Sequence, residues 1–441
     1  MTTLVAGAGL AGLSCARALK GGYRLFERGD RPGGLCRTER RDGYTVDFTG
    51  HYLHFRDPSV FRMVHGLLGR NLASRPRDSW VSLYGRLTPY PFQTHTFGHD
   101  RRVVRECVGG FLKAAMGPRP RRGASYGEWI LRTFGAGFAR HFMFPFNGKQ
   151  FRTPPGRLTP EQGGRFLPRP AAEDVVAGAM GLEPGRTGYN AVLWHPRRGG
   201  IEALPRAMAA GLRRPPENGA AVRKVLWRER KALVDGAGLV PYGTMVSTMP
   251  LPELLGMLEP KVPAMDAARR ALKWIGVVCI SYLVRKPPER RRHWVYIPER
   301  RYTPFRVGFP ANINPDDVPR GRGIVSAEVS YLPGARPSLD SMVARAARDL
   351  RALGLLGPVR DLEGVLAVDM PYAYVLFDRN HRATKRAALG FLARHGIMGI
   401  GRYGNWNYGG MEDAIREGRE AARLVNAYGS RAGERFPAGR D

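Results

Sequence analysis

The segment TLVAGAGLAGLSCARAL (residues 3–19), followed by YRLFE (residues 23–27), decides how the chain begins. A short apolar strand, Leu4 to Ala6, runs into Gly7-x-Gly9-x-x-Gly12. A helix-like run follows from Leu13 to Leu19, and a second strand-like run ends on Glu27. The order is strand, turn, helix, strand, with glycines where a nucleotide-binding turn requires them. The first allows the tight turn, the second admits a pyrophosphate against the backbone, and the third lets helix and strand pack closely. The anion would then rest on the N–H groups at the helix N-terminus. Glu27 lies 20 residues after Gly7, at the end of the second strand, where a carboxylate can hydrogen-bond ribose hydroxyls. A bare glycine fingerprint also fits a turn in an unrelated βαβ unit. With strand, helix and acid all in place, the sequence predicts dinucleotide binding.

Directly after the acidic strand end comes a second glycine-bearing loop, Arg28 and then Arg31-Pro32-Gly33-Gly34-Leu35-Cys36-Arg37-Thr38. From about Pro58 to Gly181 the pattern is mostly helical. Ser125 to Glu128 reads as a capping box before a helix over Trp129–Phe134. A hairpin interrupts this stretch, Trp80–Tyr84, Gly85-Arg86, Leu87–Phe92. Strand-like runs return at Val222–Trp227, Val246–Thr248, Gly276–Val284, Trp294–Ile297 and Ile324–Val329. The last elements are a strand over Gly396–Ile400 and, after a glycine-rich loop, a helix over Met411–Ala427. Separated segments 1–56, 190–270 and 385–430 are expected to build the nucleotide-binding domain. Segment 57–185 is expected as a mainly helical insertion and 271–384 as a β-sheet substrate domain.

Composition bounds the function. The 441 residues are 43% hydrophobic and 24% charged, the mix of a packed globular protein, which excludes global disorder. The best apolar run, Trp274–Val284, is too short to span a bilayer, and no basic leader precedes the first strand. Cys15, Cys36, Cys107 and Cys279 are far apart and form no CxxC pair, which argues against zinc or a disulfide framework and fits a cytoplasmic location. Seventy Lys+Arg against 38 Asp+Glu give a net charge of +32. That charge is mostly Arg and is spread along the chain, without a zinc-finger, homeodomain or RRM-type pattern. It reads as an Arg-rich coding bias, with an anionic ligand or nonspecific polyanion affinity as the alternatives. His141, His195 and His381 lack metal-ligand spacing and read as structural, so no metal site is expected.

The two glycine loops together resemble the FAD-dependent amine oxidase, protoporphyrinogen oxidase and phytoene desaturase superfamily, and within it the UDP-galactopyranose mutases. Thr49-Gly50-His51-Tyr52-Leu53-His54-Phe55 is similar to that family's G-P-H-I-F-H segment along the flavin. Residues 401–415 (GRYGNWNYGGMEDAI) resemble its C-terminal flavin loop, whose helix start points at the isoalloxazine. Phe146 to Phe151 (FNGKQF) resembles the Y-x-x-K-Q-W segment that holds uridine. Leu87–Thr96 resembles a family hairpin, and His195–Leu204 the superfamily's G-G-(I/Y)-x-x-L turn. Two mutase arginines grip the diphosphate, and their nearest equivalents are Arg306 and, with a one-residue shift, Arg169. Phe146 and Phe151 depart from the family's Tyr and Trp, and Gly410 stands where galactopyranose mutases carry an Asp, so base and sugar recognition would differ.

The resemblance implies an α/β fold: a Rossmann-like FAD-binding domain of three-layer ββα type, a helical insertion and a mixed sheet of six or seven strands. It implies that FAD is held by Gly7, Gly9, Leu10, Ala11, Gly12, Glu27, Arg28, Gly33, Gly34, Leu35, Tyr52, Leu53, Val222, Gly401, Arg402, Gly410, Met411 and Ala414. His51, Arg306 and Arg169 would serve catalysis, and Phe146, Phe151, Tyr331, Tyr372, Asn407 and Tyr408 would bind substrate. Tyr374 lies in the same strand-like setting, where core packing is the default. The activity implied is a non-redox ring contraction of a nucleoside-diphosphate sugar, with reduced flavin N5 as nucleophile and an external reductant such as NAD(P)H. The alternatives are an oxidase or desaturase of the wider superfamily, or a noncatalytic FAD-binding or nucleic-acid-associated protein.

Overall fold

The computed structural model describes residues 2–163, 167–182 and 192–431. The strand Thr3–Ala6 sits at the centre of a five-stranded sheet in the order Ile397–Gly399, Thr244–Ser247, Thr3–Ala6, Tyr23–Glu27, Glu217–Asn218. Every pairing in it is parallel, and such a sheet needs cover on both faces. On one face Val5, Leu25, Val246 and Met398 pack against the helices Leu10–Ala18 and Met411–Tyr428. Ser14 Oγ donates to Ile415 O at 2.7 Å, joining those two helices across 401 residues of sequence. On the other face Leu4, Ala6, Phe26 and Met245 meet Val222, Val225, Ala232 and Val240 of a second, mostly antiparallel sheet. These are the three layers, ββα, expected from the sequence.

The second body is a seven-stranded mixed sheet in the order Leu362–Val375, Trp274–Val284, Gly323–Tyr331, Arg306–Gly308, Trp294–Tyr296, Ser79–Leu83, Arg86–Pro89. Alternation along its strands gives it two different faces. Val278, Ile280, Val325, Ala327 and Val329 pack under the helix Leu339–Ala352. The intervening residues Val277, Cys279 and Met370 face the helical segment through Phe138, Phe142 and Met143. The hairpin Ser79–Leu83/Arg86–Pro89 turns through Tyr84 (φ 54°) and Gly85 (φ 76°), a two-residue turn with both central residues at positive φ. It joins this sheet, so the hairpin that interrupts the mainly helical segment 57–185 pairs with strands of 271–384. The expected breaks at 185 and 190 lie outside the described residues.

Two local differences from expectation have clear causes. The first helix starts at Leu10, not Leu13, because Gly9 is its extended N-cap (φ −75°, ψ 179°). The 14-residue strand Leu362–Val375 does not read as a strand in sequence because Pro371, Gly364 and Glu363 interrupt it. It lies at the sheet edge, where a proline costs no ladder bond. Ser125 caps its helix by accepting from Glu128 N (3.1 Å), and that helix runs Tyr126–Phe138. Among the described residues no helix is long and apolar enough to cross a membrane.

Candidate active site

The first glycine turn is built from three different constraints. Gly7 has φ +100°, and a Cβ there would lie 2.1 Å from Thr248 Oγ1. A Cβ on Gly12 would lie 2.0 Å from Gly7 O, so the third glycine permits strand and helix to touch. Gly9 is different. Its backbone is extended, and the nearest atom to a Cβ would be Gly34 Cα at 3.9 Å. Among the described residues no atom demands a glycine at position 9. The second loop closes over the first through Gly33 N to Ala8 O (2.9 Å), with Gly33 and Gly34 both at positive φ. Glu27 is buried and accepts from Ala8 N (2.8 Å) and Gly29 N (2.9 Å), which fixes its carboxylate at the mouth of this turn. The helix Leu10–Ala18 carries no acid in its first turn, so its positive end is open. Val222 is buried two residues after Ala220, whose N–H donates to Glu27 O (2.9 Å).

The third FAD-related segment approaches from the C-terminal end. Gly401, at φ +72°, abuts Ala11, where an added Cβ would lie 2.9 Å away, and its N–H donates to Glu417 Oε2 (2.7 Å). Met411 and Ala414 pack against the core beneath the first helix. Glu412 and Asp413 occupy the first turn of Met411–Tyr428, and Asp413 Oδ2 accepts from Gly410 N (2.7 Å). That helix start is thus engaged by Asp413, unlike the open start at Leu10, while Glu412 accepts from Arg56 N and Asp57 N (2.8 Å each).

Facing these loops, the seven-stranded sheet presents a charged and aromatic cluster. Arg306 and Glu328 are cross-strand partners, and Arg306 Nη2 donates to Glu328 Oε1 at 2.5 Å. Thr49 Oγ1 donates to the same oxygen at 2.6 Å. Burial by itself would lower the Arg306 pKa, but Glu328 outweighs it and holds the guanidinium well above its ordinary value. Arg402 donates to Ala373 O (2.6 Å) and Gly409 O (3.1 Å), and its guanidinium lies over the rings of Tyr408 (4.8 Å) and Tyr374 (5.1 Å). Tyr374 meets Phe151 edge-on at 5.8 Å, and Phe146 meets Tyr296 at 5.3 Å. Asn407 Oδ1 accepts from Tyr408 N (2.9 Å), which shapes this wall. His51 stands among Asp47, Arg402, Glu328 and Arg306. Burial pushes its imidazole down to about 4, and its Nδ1 is buried without a hydrogen-bond partner among the described residues. Tyr52 stacks on Trp294 (5.7 Å), and Leu53 is buried and exchanges backbone hydrogen bonds with Trp194.

Several expected residues are not brought to this cluster. Arg169 is exposed and lies over the Trp129 ring at 4.9 Å. Tyr331 lies on the opposite sheet face, because it shares the parity of Ala327 and Val329, not of Glu328. Its hydroxyl donates to Asp369. Tyr372 is displaced by a register shift between Ile275 and Val277. It stacks on Trp274 (5.0 Å) and packs with the nucleotide domain instead. Arg28 is exposed and paired with Glu253 (3.2 Å). His54 bonds Val192 O through Nδ1 (3.0 Å).

The family profile of the flavin containing amine oxidoreductases matches residues 10–426. The chain belongs to that family. Its fold is similar to that of a reduced UDP-galactopyranose mutase crystal structure (TM-score 0.91, 23% identity, covering 100% of this chain and 96% of that one). It is also similar to a putative protoporphyrinogen oxidase from Exiguobacterium sp. 255-15 (TM-score 0.76, 15% identity, 97% and 98% covered). A third likeness is to a fatty acid isomerase from P. acnes that produces CLA (TM-score 0.66, 13% identity, 97% and 98% covered). This flavoenzyme therefore has FAD as its cofactor, and the residues present fit it. The open space at Gly9, whose glycine nothing among the described residues requires, leaves room for a pyrophosphate beside an uncapped helix start.

Glu328 escaped the sequence reading, although one signal was available. Along Ile324–Tyr331 the residues Ser326, Glu328 and Ser330 alternate with Val325, Ala327 and Val329, a polar face on an otherwise buried strand. Tyr296 had no such signal, because only the fold sets it beside Phe146.

Proposed function

We propose that this flavoenzyme is a non-redox mutase acting on a nucleoside-diphosphate sugar. The observation that supports it is the charge of the cleft. Two guanidinium groups, Arg306 and Arg402, face one directly bonded carboxylate, Glu328, and Arg402 bonds only carbonyls and phenol rings. Such a site favours an anionic group over the protonated amine an amine oxidase would take up. Reduced FAD would supply its N5 as nucleophile toward the anomeric carbon. The protein's share is positional. Arg306 can turn an N–H edge to phosphate while Glu328, itself held by Thr49, keeps its other side, and Arg402 keeps its charge beside the aromatic wall. Phe146, Phe151 and Tyr374 exclude water and offer apolar surface to a base, and neutral His51 can accept a hydrogen bond at its unpartnered Nδ1.

A second reading, an oxidase or desaturase taking a less polar substrate, is favoured by the Glu328 pairing, which offsets the Arg306 charge, and by the phenylalanines at 146 and 151. One experiment separates them. Dithionite-reduced enzyme is given a panel of nucleotide sugars, and Arg306→Lys is compared with wild type for turnover and for affinity toward free nucleoside diphosphate. The mutase assignment expects activity only after reduction, with no oxidant consumed, and a roughly 10- to 100-fold loss in Arg306→Lys at unchanged FAD content. Unchanged diphosphate affinity in the variant, or turnover by oxidised enzyme with O₂ uptake, would move the assignment to the oxidase.

A further inference from the structure

A second recess of about 940 Å³ lies away from the flavin-side cluster, with none of Arg306, Glu328 or Arg402 in its lining. It is bounded by the helix Phe144–Phe151, the loop before Arg306, and the helix Leu339–Ala352. Five basic side chains line it, Lys149, Arg152, Arg300, Arg301 and Arg345, against one acid, Glu128. Arg301 is paired with Glu299 (2.8 Å). Arg152, Arg300 and Arg345 form no ion pair among the described residues, whereas Arg348, three residues after Arg345 and outside the lining, is paired with Asp349. Lys149 fixes the floor by donating from Nζ to Ile297 O (2.9 Å) and Glu299 O (3.0 Å). Arg152 sits at φ 51°, a left-handed position that usually falls to glycine. Between the charges the surface is apolar or aromatic: Phe144, Tyr302, Val329 and Met342. The volume is at the upper end of small-molecule sites.

We propose that this recess binds an organic di- or triphosphate, its phosphates on Arg152, Arg300 and Arg345 and its flat or apolar body on Phe144 and Tyr302, separately from the flavin-side site. Three unpaired guanidinium groups on one concave surface repel each other until an anion occupies the space between them, and planar forks suit phosphate oxygens. A nucleotide and a prenyl diphosphate both carry this chemistry. The FAD-loaded full-length protein is titrated calorimetrically with a nucleoside diphosphate, geranyl diphosphate and inorganic pyrophosphate. The variants are Arg300→Ala/Arg345→Ala, Arg306→Lys, and, as a charge control, Arg119→Ala/Arg122→Ala on an exposed turn. At least one organic diphosphate is expected to bind, and whichever binds more tightly names the source. A nucleoside diphosphate should show two binding components, of which Arg306→Lys weakens only the flavin-side one. The recess component should weaken by about tenfold or more in the recess variant, Arg306→Lys and the charge control should leave that component within about twofold, and salt should weaken it. Loss of every binding component in Arg306→Lys, equal losses in the recess and control variants, pyrophosphate binding as tightly as both organic ligands, or no component below about 1 mM that depends on Arg300 and Arg345 would each overturn the proposal.

Discussion

Adding a single methyl group at each glycine of the first turn separates cofactor binding from folding. In Gly12→Ala the new Cβ lies 2.0 Å from Gly7 O, a backbone atom that cannot move without parting strand from helix. The overlap should cost about 2–3 kcal/mol of stability with or without FAD. In Gly7→Ala the backbone must hold φ +100°, and the Cβ meets Thr248 Oγ1 at 2.1 Å. The backbone strain alone should cost about 1–2 kcal/mol. In Gly9→Ala neither term exists, since the backbone is extended and the nearest atom is 3.9 Å away. Its apoprotein should match wild type within about 1 kcal/mol. The same methyl fills the space reserved for the pyrophosphate, and FAD should bind about 100-fold more weakly, near 2.7 kcal/mol. Urea unfolding of deflavinated protein gives the first quantity, and quenching of FAD fluorescence on titration gives the second. Wild-type FAD affinity in Gly9→Ala, or equal loss of apoprotein stability at Gly9 and Gly12, would refute the assignment of these roles.

Three further outcomes are expected. Glu328→Gln removes the carboxylate that offsets Arg306, so free nucleoside diphosphate should bind about tenfold more tightly while thermal stability falls, and unchanged affinity would place Arg306 away from the anion. His51, pushed by burial to about 4 in the folded protein from an ordinary 6.5, makes folding disfavour its protonation. Stability is therefore full above about pH 6.5 and is lost as pH falls toward 4, by up to about 2 kcal/mol at pH 5, so unfolding of His51→Phe followed against pH should show a shallower acid decline. If the +32 charge is a coding bias, nucleic acid should bind without sequence preference and release by about 300 mM salt in a filter-binding titration.

What the sequence made legible was local. The turn at Gly7, Gly9 and Gly12, the acid at Glu27 and the existence of the hairpin are readable because each is a backbone constraint satisfied within a few residues, or a periodicity along one element, although the hairpin turns at Tyr84-Gly85, one residue before the expected Gly85-Arg86. The seven-stranded sheet was expected as a class, yet its edge strand Leu362–Val375 was not, since its proline and glycine are tolerated only by an edge position that no local pattern announces.

The candidate site divides along the same line. Glycine spacing and strand–helix order carried the nucleotide half of this protein, because steric limits on φ and the reach of one turn are properties of the chain itself. The substrate half was decided by pairings that no spacing encodes. Arg306 meets Glu328 across two antiparallel strands, Arg169 lies on Trp129, Tyr331 falls on the far face by strand parity, and a bulge displaces Tyr372. Register and bulges are set by how whole sheets pack. A shift of one residue sends a side chain to the opposite face, so only the tertiary structure could say which of 70 basic residues stands beside which carboxylate.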